Sequence, residues 1–237
     1  MNVVCVFAHQ DDENAGLGTL LRLHRERGAR ITFVTIANGE LGASWDPSKP
    51  LDEVAATRAR EMGAVAAAFD GEHISLARRD GFVFEDTELR LELTEVLRAT
   101  AAELVFTHAP SEYNADHDVT SQVTVQSALG TEIASLATST PALAAAPKIF
   151  YSDPGAGYGF EATHFVPFDE EIATEKARIL SLHESQTSVM TDLFGSDWVE
   201  LVRSRDKVCG ARLPAPYAEG FRPCLHERRV PFGGLLP

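Results

Sequence analysis

The stretch Asn2–Glu13, NVVCVFAHQDDE, decides the fold, because it joins an apolar run to a strongly polar turn. Residues Asn2–Ala8 are short, almost continuously apolar and rich in β-branched side chains, which predicts a strand buried on both faces. The polar residues His9–Glu13 follow directly and predict a turn. Strands buried on both faces belong to parallel sheets covered by helices, so this stretch favours an α/β fold.

The remainder of the chain extends the same pattern. Amphipathic segments with the spacing of helices alternate with short apolar segments that predict strands. This alternation predicts a single Rossmann-like α/β domain with a mostly parallel sheet and helices on both faces. The further predicted strands are 31–36, 73–76, 104–107, 148–151 and 163–168.

Length and proline content set the predicted domain organisation. At roughly 100–200 residues per domain, 237 residues favour one domain spanning 1–237. Five of the twelve prolines lie after Leu213, so we expect an irregular tail from about that residue. Helices are expected over Glu170–His183 and Trp198–Val208.

Charge and cysteine content exclude several classes of protein. Thirty-five acidic and 21 basic residues give a formal charge of −14, which would repel a nucleic acid or an anionic membrane. The N-terminal apolar run is too short for a signal or membrane segment. Three cysteines cannot close a disulfide framework, which favours a reducing compartment, and we expect a cytoplasmic protein.

Two polar clusters follow predicted strands, at the sheet edge where ligands bind in such folds. The first is His9–Glu13, and the second is Tyr113–His117 in the loop after the strand that ends at Thr107. Two imidazoles and a carboxylate can supply three ligands to a divalent metal, and zinc suits that donor set. A neighbouring carboxylate, Asp11 or Asp12, could then take a proton from water. The acidic run could alternatively be a helix N-terminus stabilised by its charges.

The order of these motifs resembles the PIG-L/LmbE-like family of zinc-dependent de-N-acetylases. The family's AHPDDE motif is similar to Ala8–Glu13, and its HxDH motif is similar to Asn114–His117. Weaker similarities recur in the expected order along most of the chain: Asn38–Glu40, Arg58, Glu61, Lys176, His183–Gln186 and Tyr217–Phe221.

The resemblance implies a role for each matching residue. It implies a zinc site of His9, Asp12 and His117, with Asp11 as the general base that takes a proton from the attacking water. It also implies substrate binding by Arg58 and, on a looser match, by Asp80. Asp116 is expected to orient a metal ligand or the base.

Two positions depart from the family pattern. Gln10 stands where members usually carry proline, which should loosen the turn while keeping its acidic groups. Asn114 stands where many members carry a histidine that assists the substrate carbonyl. We expect Asn114 to act as a neutral catalytic hydrogen-bond donor there, with His108 as the alternative donor.

The expected function is zinc-dependent removal of an N-acetyl or other N-acyl group from a small amino sugar or glycoside. Two alternatives stay open: an amidase that acts on a thiol-glycoside conjugate, and a non-catalytic sugar-binding member of the same fold. We expect a small N-acetylated molecule as the partner, with no nucleic acid or membrane, and leave open whether copies form a homo-oligomer. The loop after the second strand, with Trp45, could form a wall of the pocket.

Overall fold

A computed structural model describes residues 1–42, 46, 48–154, 159–225 and 234–235. Within these residues the strands are β1 (Asn2–Phe7), β2 (Arg30–Ala37), β3 (Glu72–Arg78), β4 (Leu104–Thr107), β5 (Lys148–Ser152), β6 (His164–Phe168) and β7 (Tyr217–Pro223). They form one sheet in the order β3-β2-β1-β4-β5-β7-β6. Strands β1 to β5 are mutually parallel, and β7 is antiparallel to both β5 and β6. The predicted α/β fold with a mostly parallel sheet is confirmed.

Helices cover both faces of this sheet, as predicted. They are α1 (Leu17–Arg27), α2 (Leu51–Ala67), α3 (Thr87–Ala99), α4 (Ala115–Gly130), α5 (Glu170–Leu180), α6 (Glu184–Phe194) and α7 (Trp198–Gly210). Alternate residues of β1 point into two separate cores: Val3 and Cys5 pack with α1 and α2, whereas Val4 and Val6 pack with α3 and α4. None of the described helices is both long enough and apolar enough to cross a membrane.

The strand order places the two polar clusters side by side. From β1 the chain adds β2 and β3 on one side and then returns to β4 on the other, which creates a switch point between β1 and β4. Val6 pairs in parallel register with Thr107, so the residues that follow β1 and β4 emerge at the same edge. The sheet topology therefore brings His9–Glu13 against the loop that contains His117.

The prediction of an irregular tail from about Leu213 is wrong for the residues of β7. This strand is inserted between β5 and β6, and Tyr217–Phe221 are buried. Gly220 and Pro223 weaken the strand signal, because both residues are uncommon inside strands. Glu219 is also buried, since its carboxylate accepts hydrogen bonds from the N–H groups of Gly18 and Thr19 at the start of α1.

The predicted helix over Glu170–His183 ends early, and a helix that the sequence did not predict follows it. Helix α5 ends at Leu180, and α6 begins at Glu184. The α6 sequence, ESQTSVMTDLF, is rich in residues of modest helix propensity and lacks a continuous apolar stripe. It packs against α7, which follows it directly in the chain, and against α2, which lies far from it in the sequence.

Candidate active site

Hydrogen bonds from backbone N–H groups to side-chain carboxylates shape the acidic turn after β1. Asp11 has φ of 109°, an uncommon conformation for a residue with a side chain. Its N–H donates to Oε2 of Glu13 at 2.9 Å, and the N–H of His9 donates to Oδ2 of Asp12 at 2.7 Å. The short 3₁₀ helix over Asp12–Ala15 has no side-chain hydrogen bond at its cap. These carboxylates therefore fold the turn itself, and they do not act as a simple helix cap.

Asp12 lies between the two predicted histidine ligands. Its Oδ2 is 3.4 Å from Nδ1 of His9, and its Oδ1 is 3.4 Å from Nε2 of His117. One ligand atom from each of the three side chains lies within 4.8 Å of the others. Burial alone would raise the pKa of the Asp12 carboxyl, but His117 and His108 together lower that pKa well below its usual value. The predicted ligand set therefore converges on one point around an ionised carboxylate.

A glutamate orients His117. The Nδ1 of His117 donates to Oε2 of Glu112 at 2.8 Å, which leaves the lone pair on Nε2. This Nε2 is buried and has no hydrogen-bond partner among the described residues. Hydrogen bonds with His108 and His117 outweigh the opposing effect of burial and lower the pKa of Glu112 to about 2. Sequence reasoning missed Glu112, whose only signal is its position five residues before His117.

Two aspartates hold the other nitrogen of His9. Its Nε2 lies 3.1 Å from Oδ1 of Asp80 and 3.4 Å from Oδ2 of Asp116. The Asp80 carboxylate also accepts from the N–H of Leu41, and that of Asp116 accepts from the N–H groups of Gly81 and Val83. Asp116, expected to orient a metal ligand or the base, contacts His9. Asp80, expected to contact substrate, faces the same ring, although it also lines the pocket described below.

Arg58 contacts the predicted base. Its Nη2 lies 3.1 Å from Oδ1 of Asp11 and donates to the carbonyl oxygen of Gln10. The Oδ2 of Asp11 has no hydrogen-bond partner among the described residues. Burial raises the pKa of Asp11 to about 7, against the opposing charge of Arg58. Arg58, expected to hold substrate, thus positions Asp11 and also lines the pocket.

Asn114 and His108 occupy different surroundings. Asn114 lines the pocket, and its Oδ1 accepts from the N–H of Asp116 at 2.9 Å, capping α4. His108 is buried and stacked on His117, with ring centroids 3.9 Å apart. The Nε2 of His108 accepts from the N–H of Ala8, and its Nδ1 lies 3.5 Å from Glu112. Both nitrogens of His108 therefore face protein groups, whereas the amide nitrogen of Asn114 is not used by the cap.

His183 and Glu13 form a hydrogen-bonded pair that contacts the backbone of Asp11, the predicted base. Nε2 of His183 lies 2.7 Å from Oε1 of Glu13, and Glu13 in turn holds the N–H of Asp11. His183 is fully buried and precedes α6. Its match to the family was visible in the sequence, but its partner, 170 residues away, was not.

The predicted metal ligands and Asp11 border a cavity of about 210 Å³. Asp11, Asp12, His9 and His117 form its polar floor. The remaining described lining residues are Leu41, Gly42, Arg58, Asp80, Tyr113, Asn114, Gln186, Val189, Met190 and Leu193. Trp45, expected in a wall of the pocket, lies outside the described residues.

The donor set fits a zinc ion. Ligand atoms of a tetrahedral zinc site with bonds of about 2.0–2.1 Å are separated by roughly 3.4 Å. Oδ2 of Asp12 lies at this distance, 3.4 Å, from Nδ1 of His9, and Oδ1 of Asp12 lies 3.4 Å from Nε2 of His117. Each histidine also donates its other N–H to a carboxylate, as metal-bound histidines usually do. Two other groups of acidic and histidine residues lie nearby, His108–Glu112–His117 and His9–Asp80–Asp116, and each shares a histidine with the predicted ligand set.

Comparison with known proteins assigns the chain to a family. The family model described as PIG-L: GlcNAc-PI de-N-acetylase matches residues 4–128, which include both motifs. The chain belongs to this family. The resemblance recognised in the sequence is thereby confirmed.

Individual relatives cover the chain to different extents. The chain is 30% identical over 89 residues to a 1D-myo-inositol 2-acetamido-2-deoxy-alpha-D-glucopyranoside deacetylase of Kineococcus radiotolerans. That match covers 36% of this chain and 25% of the relative, so the chain matches about a quarter of the relative's length.

Two solved structures share the fold over nearly the whole chain. N,N'-diacetylchitobiose deacetylase from Pyrococcus horikoshii has a TM-score of 0.81 at 22% identity, covering 94% of this chain and 83% of that one. GalB, the 4-carboxy-2-hydroxymuconate hydratase of Pseudomonas putida KT2440, has a TM-score of 0.73 at 18% identity, covering 98% and 99%. Because a deacetylase and a hydratase share this fold, the fold alone does not choose the reaction.

Proposed function

We propose that this protein is a zinc-dependent hydrolase that removes the N-acetyl group from a small amino sugar or glycoside. The observation that carries the proposal is the shared carboxylate of Asp12, 3.4 Å from a nitrogen of both His9 and His117, with Asp11 beside it on the same cavity. Membership of a family described as de-N-acetylases supports this choice of reaction. The amino-sugar compounds named for the Kineococcus and Pyrococcus relatives support the substrate class.

His9, Asp12 and His117 would hold the metal, through Nδ1, a carboxylate oxygen and Nε2. Bound zinc supplies a Lewis acid that polarises a carbonyl and lowers the pKa of water. The hydrogen bonds from His9 to Asp80 and from His117 to Glu112 fix which ring nitrogen of each histidine is free to bind.

Asp11 is assigned the proton transfers. Its Oδ1 is held by Arg58, and its Oδ2 has no partner among the described residues, so one oxygen is fixed while the other can exchange a proton. In the hydrolysis, Asp11 takes a proton from the attacking water and later gives a proton to the departing nitrogen. The C–N bond breaks, and the products are acetate and a free amine.

Asn114 is assigned to the substrate carbonyl. The Oδ1 of Asn114 caps α4, which fixes the plane of the side-chain amide. The amide nitrogen is then available to donate to an oxygen that gains negative charge during the reaction. This donor is neutral, so its assistance should not depend on a protonated histidine.

The test is acetate release from N-acetylated amino sugars by zinc-loaded protein, measured together with the free amine. We expect release that a chelator abolishes and added zinc restores. Protein that binds zinc but releases no acetate from any glycoside would favour the non-catalytic sugar-binding alternative. Cleavage confined to amides of thiol-glycoside conjugates would favour the amidase alternative.

A further inference from the structure

The cavity has two chemically different sides. Its floor carries the charged groups of the candidate metal centre, whereas the less buried lining residues, which form the outer wall, are mostly apolar. Helix α6 supplies Val189, Met190 and Leu193 to that wall, and Leu41 and Tyr113 complete it. Val189, Met190 and Leu193 are one and three to four positions apart, so they share one face of the helix.

Two side chains of this wall are largely exposed to solvent. Leu193 is 56% exposed and Tyr113 is 58% exposed. Single exposed apolar side chains are common on soluble proteins, but a group of them around the mouth of a cavity is typical of a binding surface. The Tyr113 ring lies 5.0 Å from that of His117, which joins the apolar wall to the floor.

Hydrogen bonds hold this wall in a fixed relation to the candidate base. His183, just before α6, binds Glu13, which holds the N–H of Asp11. Ser185 in the first turn of α6 donates from its N–H and its hydroxyl to Glu61, at 2.8 and 2.7 Å. Because α2 carries Glu61 one turn after Arg58, α6 is tied to both groups that define the position of Asp11.

The size of the cavity limits what can lie inside it. A volume of about 210 Å³ is below the range of roughly 300–1,000 Å³ that is usual for ligand pockets. A sugar ring with its N-acetyl group would fill most of this space. Any larger group attached to that sugar would then lie outward, against Tyr113 and the exposed part of α6.

We propose that the substrate is an N-acetylated amino sugar with an apolar aglycone, an aryl or alkyl group that packs against Val189, Met190, Leu193 and Tyr113. The proposal rests on the hydrolase function proposed above and specifies its substrate class. Removal of apolar aglycone surface from water supplies the binding free energy, while the charged floor binds the acetamido group.

Binding is measured separately from turnover, so that this proposal and the proposed function can fail independently. The probes are phenyl 2-acetamido-2-deoxy-glucoside and the matching glycoside of glycerol, which has a polar aglycone. Their Kd values for zinc-loaded Asp11→Asn protein are obtained by calorimetry. We expect the phenyl glycoside to bind about tenfold more tightly or better, the discrimination typical of apolar pocket contacts.

Leu193→Ser, combined with Asp11→Asn, tests whether the α6 face causes the difference. We expect this variant to weaken binding of the phenyl glycoside severalfold while hardly changing that of the glycerol glycoside. Leu201→Ser is the matched control, because Leu201 is an exposed leucine on α7 that is not among the cavity residues. It should change neither Kd.

The outcomes separate the two proposals. Equal Kd values for the two glycosides, or a preference that survives Leu193→Ser unchanged, would overturn the apolar-aglycone proposal even if wild-type protein releases acetate from both. Selective binding of the phenyl glycoside without acetate release by the wild-type protein would support the proposal for binding and overturn the hydrolase function.

Discussion

Nδ1 of His117 lies 2.8 Å from Oε2 of Glu112, and this contact directs the opposite nitrogen of the ring toward Asp12. Glu112 also lies 3.5 Å from His108, whose ring stacks on His117. The glutamate therefore fixes both the tautomer and the position of a candidate metal ligand without lying among the three ligand residues.

Replacing Glu112 tests this positioning role. Glu112→Gln should reduce zinc affinity about 10–100-fold, because a neutral amide no longer fixes the Nδ1–H tautomer of His117. Zinc competition with a chromophoric chelator measures the affinity, and circular dichroism checks the fold. Glu88→Gln, at an exposed position on α3, is the control. Unchanged affinity in Glu112→Gln would show that the contact does not support the metal site.

Arg58 and Asp11 form a buried ion pair, so replacing Arg58 should lower the free energy of unfolding. Arg58→Ala should lower the free energy of unfolding by about 3–5 kcal/mol, because it leaves the Asp11 carboxylate buried without its cation. In an Asp11→Asn background the same substitution should cost less. Urea unfolding of the four proteins measures the coupling, and Arg60→Ala, at an exposed site on α2, should be nearly silent. Equal costs in both backgrounds would exclude the coupling.

Gly39 keeps space open beside this pair. It has φ of +74°, and a Cβ atom there would contact Gln10 and lie 2.9 Å from Nη1 of Arg58. Gly28 has a similar φ of +61°, with no described atom within 4 Å of such a Cβ. Gly28→Ala should therefore cost about 1–2 kcal/mol from backbone strain alone. Gly39→Ala should cost a further 1–3 kcal/mol or so from crowding. Equal losses in urea unfolding would contradict this.

The two roles assigned to Asn114, capping α4 and donating a hydrogen bond to the substrate carbonyl, can be tested separately. Asn114→Ala should lower the free energy of unfolding by about 0.5–2 kcal/mol, whereas Asn114→Ser should largely keep the cap of α4. Both variants lack the amide donor, so both should lose about 10²-fold in turnover. Thermal unfolding and acetate release measure the two properties. Full turnover in Asn114→Ser would restrict Asn114 to a structural role.

The first strand could be predicted from the sequence for a physical reason. Residues Asn2–Ala8 are buried on both faces, so their composition directly reflects their environment. The two polar clusters could be located because they follow strands whose ends meet at one edge, whereas the choice of His9, Asp12 and His117 as ligands came from the family resemblance. The placement of Asp116 beside His9 follows from the same adjacency.

Contacts between distant residues account for what the sequence did not predict. Glu112 resembles any loop glutamate until the fold brings His108 and His117 against it. Strand β7 pairs with β5 and β6, which lie far from it in the chain, so local propensity gives little sign of it. Helix α6 has a sequence of modest helix propensity and packs against α7 and the distant α2. Asp80 was expected, on a loose family match, to bind substrate, but its contact with His9 depends on how β3 is placed.

The central claim is that Asp11, beside a metal held by His9, Asp12 and His117, drives amide hydrolysis. The most direct measurement compares wild-type and Asp11→Asn proteins for zinc content and for acetate release from an N-acetylated amino sugar. Our account predicts equal zinc content, with turnover lower by roughly 10²–10⁴-fold in Asp11→Asn. Near-normal turnover in zinc-loaded Asp11→Asn protein would contradict it.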